Sequence, residues 1–194
     1  MLPEIAQAAA VLARGGVVAF PTDTVWGLLA DWRNREAVAR LRALKGRVED
    51  KPVQVLVESL EKARALLQDP DDPRFLRLAA AFWPGPLTLV AAGRGVPPWI
   101  SREGTLGLRM PDHPGLLALL RAAGGSLAAT SLNRAGAPPV GSRREAEAFG
   151  ADLVFPGAEP PGVASTVLDL ARGRVLREGA IPAEALARYL EEAR

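Results

Sequence analysis

Cysteine is absent from the 194 residues, and histidine occurs once, at His113. The first absence excludes disulfide scaffolds, thiolate metal sites, cysteine nucleophiles and thiol switches. The second leaves a Ser-His-Asp triad or a histidine-built metal site without enough members. No stretch approaches the roughly 18 consecutive apolar residues of a membrane span, so no membrane association is expected. Near the N-terminus, Glu4, the lack of a leading basic cluster, and Arg14 closing the apolar run from Ala8 to Ala13 do not read as a secretory signal. A cytoplasmic location is the expectation. The patterns G-x-x-x-x-G-K-[ST], G-x-G-x-x-G and H-E-x-x-H are also missing, so a nucleotide, if bound, is held by another device. Lysine is scarce: Lys45, Lys51 and Lys62 stand against 21 arginines, yet Lys45 and Lys51 fall within seven residues of each other.

Hydrophobic residues make up 48% of the chain and charged residues 24%, a mixture that folds rather than staying disordered. The length suits one domain, taken as residues 1–194. The formal charge is 24 − 22 = +2, too small to name a partner.

Helix and strand patterns alternate along the chain. A helix over Pro3–Arg14 stops at Gly15-Gly16, before a short buried strand, Val17–Phe20. Asn34 caps a helix that carries Ala37, Leu41 and Leu44 on one face and ends at Gly46. The strand Val53–Val57 precedes a helix capped by Ser59, and a further helix runs to Trp83, where Pro84-Gly85-Pro86 breaks it. Strands are expected at Leu87–Ala91, Leu106–Met110, Ser126–Thr130, Leu153–Phe155, Ser165–Leu170 and Arg174–Arg177. Helices are expected at His113–Ala123, Arg143–Phe149 and Pro182–Ala193, the second opened by a Ser142/Glu145 capping box and the third by Pro182. No helix separates the last three strands, so part of the sheet should be antiparallel. The fold class that results is α/β, a twisted open sheet of mixed parallel and antiparallel strands flanked by helices.

Small polar clusters stand at the ends of these strands, where α/β proteins place their ligand sites. Pro21-Thr22-Asp23-Thr24-Val25-Trp26-Gly27 offers two hydroxyls and a carboxylate, either as an ordinary capped turn or as a grip on a small polar ligand. Lys45-Gly46-Arg47 with Lys51 puts three cations within seven residues, suited to a polyphosphate or, for Lys45, to the end of a helix dipole. Thr130-Ser131-Leu132-Asn133 ends one strand, and Ala164-Ser165-Thr166 enters another. Arg109 lies in the apolar run Leu106-Gly107-Leu108-Arg109-Met110, where a cation needs an anion from the protein or from a ligand. His113 reads as a residue of a helix cap or of the surface.

Taken together and in chain order, these segments resemble the YrdC-like threonylcarbamoyl-AMP synthases of tRNA modification, in their short bacterial form. The matching stretches are FPTDTVWGL (20–28), KGRVEDKPVQVLV (45–57), WPGPLTLV (83–90), TLGLRMPDHP (105–114), AATSLNRAGAPP (128–139), ASTVLDL (164–170) and LREGAI (176–181). The resemblance implies a concave basic face and a reaction that joins L-threonine, bicarbonate and ATP into L-threonylcarbamoyladenylate, releasing pyrophosphate. It implies a threonylcarbamoyl-transferase partner that modifies adenosine 37 of tRNA. Position by position, Thr24, Arg109 and Ser165 match the threonine side. Lys45 and Arg47 match catalytic cations. Arg47, Lys51, Thr105, Ser131, Asn133 and Arg177 match the nucleotide side. ATP is the implied nucleotide substrate and Mg²⁺ the implied ion, with no residue assigned to hold a metal. Trp26, Leu56, Leu132 and Glu178 depart from common residues of the family, and the C-terminal domain of its long members, with the linker over the nucleotide, is expected to be absent. The alternative is a non-catalytic RNA-binding or ribosome-maturation factor on the same fold, contacting tRNA or double-stranded RNA through a basic face. Residues 102–144, with six basic and two acidic side chains, favour it. A scarcity of nearby aromatics for base stacking counts against it.

Overall fold

The computed structural model describes residues 2–46, 52–134 and 136–191. Strand order explains where the site lies. Nine strands form one mixed sheet in the order β7-β1-β2-β6-β3-β5-β4-β8-β9. Their ranges are β1 Val18–Pro21, β2 Trp26–Ala30, β3 Gln54–Val57, β4 Leu87–Ala92, β5 Thr105–Arg109, β6 Ser126–Ser131, β7 Leu153–Val154, β8 Thr166–Asp169 and β9 Arg174–Arg177. The helices are α1 Pro3–Ala13, α2 Arg35–Leu44, α3 Leu60–Leu66, α4 Pro73–Phe82, α5 Pro114–Ala122, α6 Arg143–Glu147 and α7 Ala183–Glu191.

Local signals set most boundaries. Asn34 accepts from the backbone N–H groups of Glu36 and Ala37 to start α2, Ser59 accepts from Lys62 to start α3, and Ser142 and Glu145 close a reciprocal capping box at α6. His113 is a cap: its Nδ1 accepts from the N–H of Leu116 at 3.1 Å. The third of these helices is shorter than expected, since α6 ends at Glu147 rather than Phe149.

Two expectations need correction. β2 was not foreseen: it follows β1 through a tight turn at residues 22–25 and pairs with it antiparallel, Phe20 opposite Gly27. The last three expected strands are not neighbours in a row. β8 and β9 do pair antiparallel, but β7 joins β1 in parallel at the far edge of the sheet. The segment between β7 and β8 therefore travels back across the molecule, touching the β1–β2 turn where the Gly162 N–H donates to the Thr24 carbonyl at 2.9 Å.

Side chains alternate between two cores, as strand geometry requires. Leu28, Val55, Val57, Leu89, Leu108 and Ala128 pack with α2, α3, α4, α6 and α7. Leu29, Leu56, Leu127 and Ala129 point the other way and pack with α1 and α5, alongside Val18 and Phe20. Five helices cover one face and two cover only part of the other. Among the described residues, no helix is long and apolar enough to cross a membrane.

Candidate active site

The part of the sheet that α1 and α5 leave bare is a cleft of about 740 Å³, a volume suited to a small-molecule ligand. Leu29, Leu56 and Ala129 belong both to the core under these helices and to the cleft wall, so the two are one surface. Of the candidate site residues, Thr24, Lys45, Thr105, Arg109, Ser131, Asn133, Ser165 and Arg177 all line it. Arg47 and Lys51 lie outside the described residues.

One end is built on the β1–β2 turn. The Thr22 hydroxyl closes that turn, donating to the Val25 carbonyl at 2.7 Å and accepting from the N–H groups of Thr24 and Val25. The Thr24 hydroxyl lies 3.0 Å from that of Thr22 and accepts from Arg109 Nη1 at 2.9 Å. Arg109 Nη2 pairs with Asp23, whose second oxygen accepts from the Asp112 N–H at 3.1 Å. Arg109 thus takes from the protein the anion that the sequence left to come from either the protein or a ligand. It is 3% exposed, and the chain supplies its counterion, because a guanidinium in an apolar strand could not remain unpaired. Its Nε has no hydrogen-bond partner among the described residues and is buried at the cleft wall. Burial pulls the guanidinium pKa down, Asp23 opposes this, and the charge of Arg177 adds to the lowering.

The other end is organised by Lys45, the residue that ends α2. The residue is 5% exposed, and its ammonium donates to Thr130 Oγ1 at 3.0 Å, the Ser131 carbonyl at 2.8 Å, Ser131 Oγ at 3.2 Å and Asn133 Oδ1 at 2.8 Å. A helix-dipole role leaves this unexplained, since a lysine serving only the dipole stays in water. The Ser131 hydroxyl also donates to Asn133 Oδ1 at 2.7 Å, and the Asn133 amide is anchored on the carbonyls of Arg134 and Ala137.

Between the ends a polar band crosses an otherwise apolar floor. Thr88 donates to Gln54 Oε1 at 3.1 Å and lies 3.0 Å from Ser165 Oγ. Arg177 donates to the Ser165 carbonyl through Nε and Nη2 and to Ser165 Oγ through Nη2. Burial lowers the pKa of Arg177. Thr166, next to Ser165, is structural: its hydroxyl donates to the Ile181 carbonyl and accepts from the N–H groups of Gly179 and Ile181. Gly179 is packed so closely that a Cβ there would stand 2.2 Å from the Ala164 carbonyl oxygen, which explains the glycine in LREGAI. At the rim Asp169 pairs with Arg172. Burial works to raise its pKa, but the hydrogen bonds and charge of Arg172 prevail and hold it below the usual carboxylate range.

Sequence reasoning missed Gln54, Thr88 and Asp169, and it listed Asp23 without its partner. The signal for Gln54 and Thr88 was present: each interrupts an apolar strand, Val53-Gln54-Val55 and Leu87-Thr88-Leu89, the same anomaly that singled out Arg109.

Comparison with known proteins places this geometry in a family. The Sua5/YciO/YrdC family model, described as "Telomere recombination", matches residues 10–179. The threonylcarbamoyl-AMP synthase of Stutzerimonas stutzeri is 38% identical over 182 residues, covering 89% of this chain and 96% of that one. The Bacillus subtilis protein of the same name is 40% identical over 196 residues, covering 94% of this chain and 55% of its own length. The chain thus spans nearly the full length of some relatives and about half of others. The structure of P. abyssi Sua5 complexed with L-threonine superposes with a TM-score of 0.89 at 36% identity, covering 100% of this chain and 60% of that one. A matching family model over most of the chain, a shared fold, and a cleft built from the matched segments agree: this chain is a member of the YrdC/Sua5 family.

Proposed function

We propose that this chain is a threonylcarbamoyl-AMP synthase, joining L-threonine, bicarbonate and ATP into L-threonylcarbamoyladenylate with release of pyrophosphate. One observation carries the reading: the Thr24–Arg109 group and the Lys45–Ser131–Asn133 group face a single cleft. The relatives of that name support it.

The chemistry suits the residues. The threonine amine attacks the bicarbonate carbon, a C–N bond forms, and water leaves to give a carbamate. A carbamate oxygen then attacks the α-phosphorus of ATP, and the bond to the bridging oxygen breaks as pyrophosphate departs. Neither step requires a protein nucleophile. Both require reactants held close and charge stabilised as it develops. In this reading Thr24, Arg109 and Ser165 hold the amino acid. Lys45 with Arg47 stabilises the reacting phosphate, and Arg47, Lys51, Thr105, Ser131, Asn133 and Arg177 hold the nucleotide. Magnesium fits as a companion of the triphosphate: the described residues contain no cluster of three or more His, Asp or Glu, and such ions take much of their shell from phosphate and water. It would neutralise charge on the departing pyrophosphate.

The product is a mixed anhydride that water destroys, so we include in the proposal its transfer to a threonylcarbamoyl-transferase acting on tRNA, and one catalytic domain over residues 1–194. The RNA-factor alternative rested on the basic residues of 102–144. The arginines of residues 102–144 do not make one open face: Arg109 is buried, Arg121 meets Glu58 and Arg143 meets Glu147. Pyrophosphate release from ATP should require both L-threonine and bicarbonate. Equal release with either omitted overturns the reading, and salt-sensitive RNA binding without any release supports the alternative.

A further inference from the structure

The polar band on the cleft floor has a direction. Arg177 donates to Ser165 Oγ, and Thr88 spends its only proton on Gln54 Oε1. Ser165 must then donate to Thr88 across their 3.0 Å separation. The chain of donors ends at Gln54 with its carbonyl oxygen occupied, which fixes the side-chain amide in one orientation. Among the described residues no acceptor meets the amide NH₂, and Gln54 lines the cleft.

Gly107 makes this reach possible. Gln54 is on β3 and Thr88 on β4, with β5 between them, and Gly107 is the β5 residue beside Gln54. A Cβ there would meet the Thr88 methyl at 3.3 Å, closing the path along which Gln54 and Thr88 join.

Register locates the NH₂ along the cleft. Two residues further along β3, Leu56 is opposite Arg109. In the other direction, Gln54 is opposite Ala129 on β6, and Ser131 lies two residues beyond. Two residues of strand span roughly 7 Å. Gln54 therefore sits in the row between the Arg109 end and the Ser131–Lys45 end. If the amino acid occupies the first and the phosphates the second, the group between them is the new carbamate.

We propose that Gln54 is a substrate-binding residue of the reaction, its NH₂ donating to an oxygen of the carbamate formed from bicarbonate, and that Thr88, Ser165 and Gly107 are positioning residues that keep the donor aimed there. This rests on the synthase reading above. An uncharged donor suits an intermediate whose oxygen must remain nucleophilic: it orients the carbamate without the strong stabilisation that a cation would give.

The test is pyrophosphate release by the full chain at saturating ATP and threonine, titrated with bicarbonate, for the wild type, Gln54→Met and Thr88→Val. Calorimetric binding of ATP alone and of threonine alone is measured in parallel, with melting temperature. Gln54→Met should raise the bicarbonate requirement, or lower the maximal rate, about tenfold, while ATP and threonine affinities stay within about twofold. Thr88→Val, which frees the amide to turn over, should shift the bicarbonate dependence in the same direction by less. A bicarbonate requirement and a maximal rate both unchanged in Gln54→Met, or equal losses in all three substrates with a lowered melting temperature, overturn this inference alone. A wild type that releases no pyrophosphate with threonine and bicarbonate present overturns the reaction itself, and the inference with it.

Discussion

Lys45 and Arg109 are almost equally buried, at 5% and 3% exposure, yet they are seated on different parts of the fold. Arg109 is met by a carboxylate 86 positions away in the chain. Lys45 is met by two hydroxyls, a carbonyl and an amide oxygen from β6 and the loop after it. The first arrangement neutralises its cation and ties the β1–β2 turn to β5 and the start of α5. The four oxygens gathered at Lys45 tie the end of α2 to β6 and the loop after it, and they shape a loop of small polar groups around the ammonium. A buried cation thus ties a turn to a strand at one end of the cleft and gathers a polar loop at the other.

The sharpest way to break this contrast is to remove the anion of Arg109. Asp23→Asn leaves a guanidinium buried without a carboxylate and should cost about 3–5 kcal/mol of stability in denaturant unfolding. Replacing both partners, Asp23→Asn with Arg109→Met, should recover much of that loss; no recovery would mean the pair is not what the turn depends on. At the other end, Lys45→Ala should lower pyrophosphate release about a hundredfold, the usual scale for a charge that acts on the reacting group. Lys45→Arg should rescue little, because a planar fork cannot meet four convergent oxygens. Full rescue would reduce Lys45 to a generic positive charge.

A smaller effect separates structure from binding at the first end. Arg109→Lys keeps the charge and loses the fork, so it should raise the threonine requirement about tenfold and the ATP requirement far less. A lowered melting temperature with intact threonine dependence would make Arg109 purely structural. The smallest effect lies outside the cleft. The Asp152 carboxyl is held below the usual carboxylate range by the Val17 N–H, with help from Arg40. Because its folded-state pKa is lowered, its contribution is present above the ordinary carboxylate pKa and is lost as pH falls through the lowered value. Asp152→Asn should therefore cost about 1 kcal/mol near neutrality, solvent screening included, and nothing measurable in strong acid. A gap between variant and wild type that persists in strong acid would remove the ionic explanation.

Whatever one segment decides by itself was legible in the sequence. Asn34, Ser59 and the Ser142/Glu145 pair act within a single turn of chain, and all three caps formed where they were read. β2 escaped because the turn before it lacks an Asn-Gly or Asp-Gly signal; the Thr22 side chain closes it instead. The need for an anion at Arg109 was visible, but its source was not, because Asp23 reaches it only through the order of the strands. Gln54 and Thr88 were invisible as a pair for the same reason: the glycine that lets them meet belongs to a third strand.

The strand order also dictates when the protein becomes competent during its own synthesis. Val17 meets Asp152 across 135 positions, and the cleft wall draws on residues from Thr22 to Arg177. Contacts so far apart close long loops and form slowly. As the chain emerges from the ribosome, the β1–β2 hairpin can form at once, but its Asp23 waits for Arg109, and Thr88 waits for Ser165. The residues of the two cleft ends, Asp23 with Arg109 and Lys45 with Asn133, are all made before Ser165 and Arg177 emerge. The polar band between those ends is the part that comes last, when β9 docks against β8 and Arg177 closes on the Ser165 backbone.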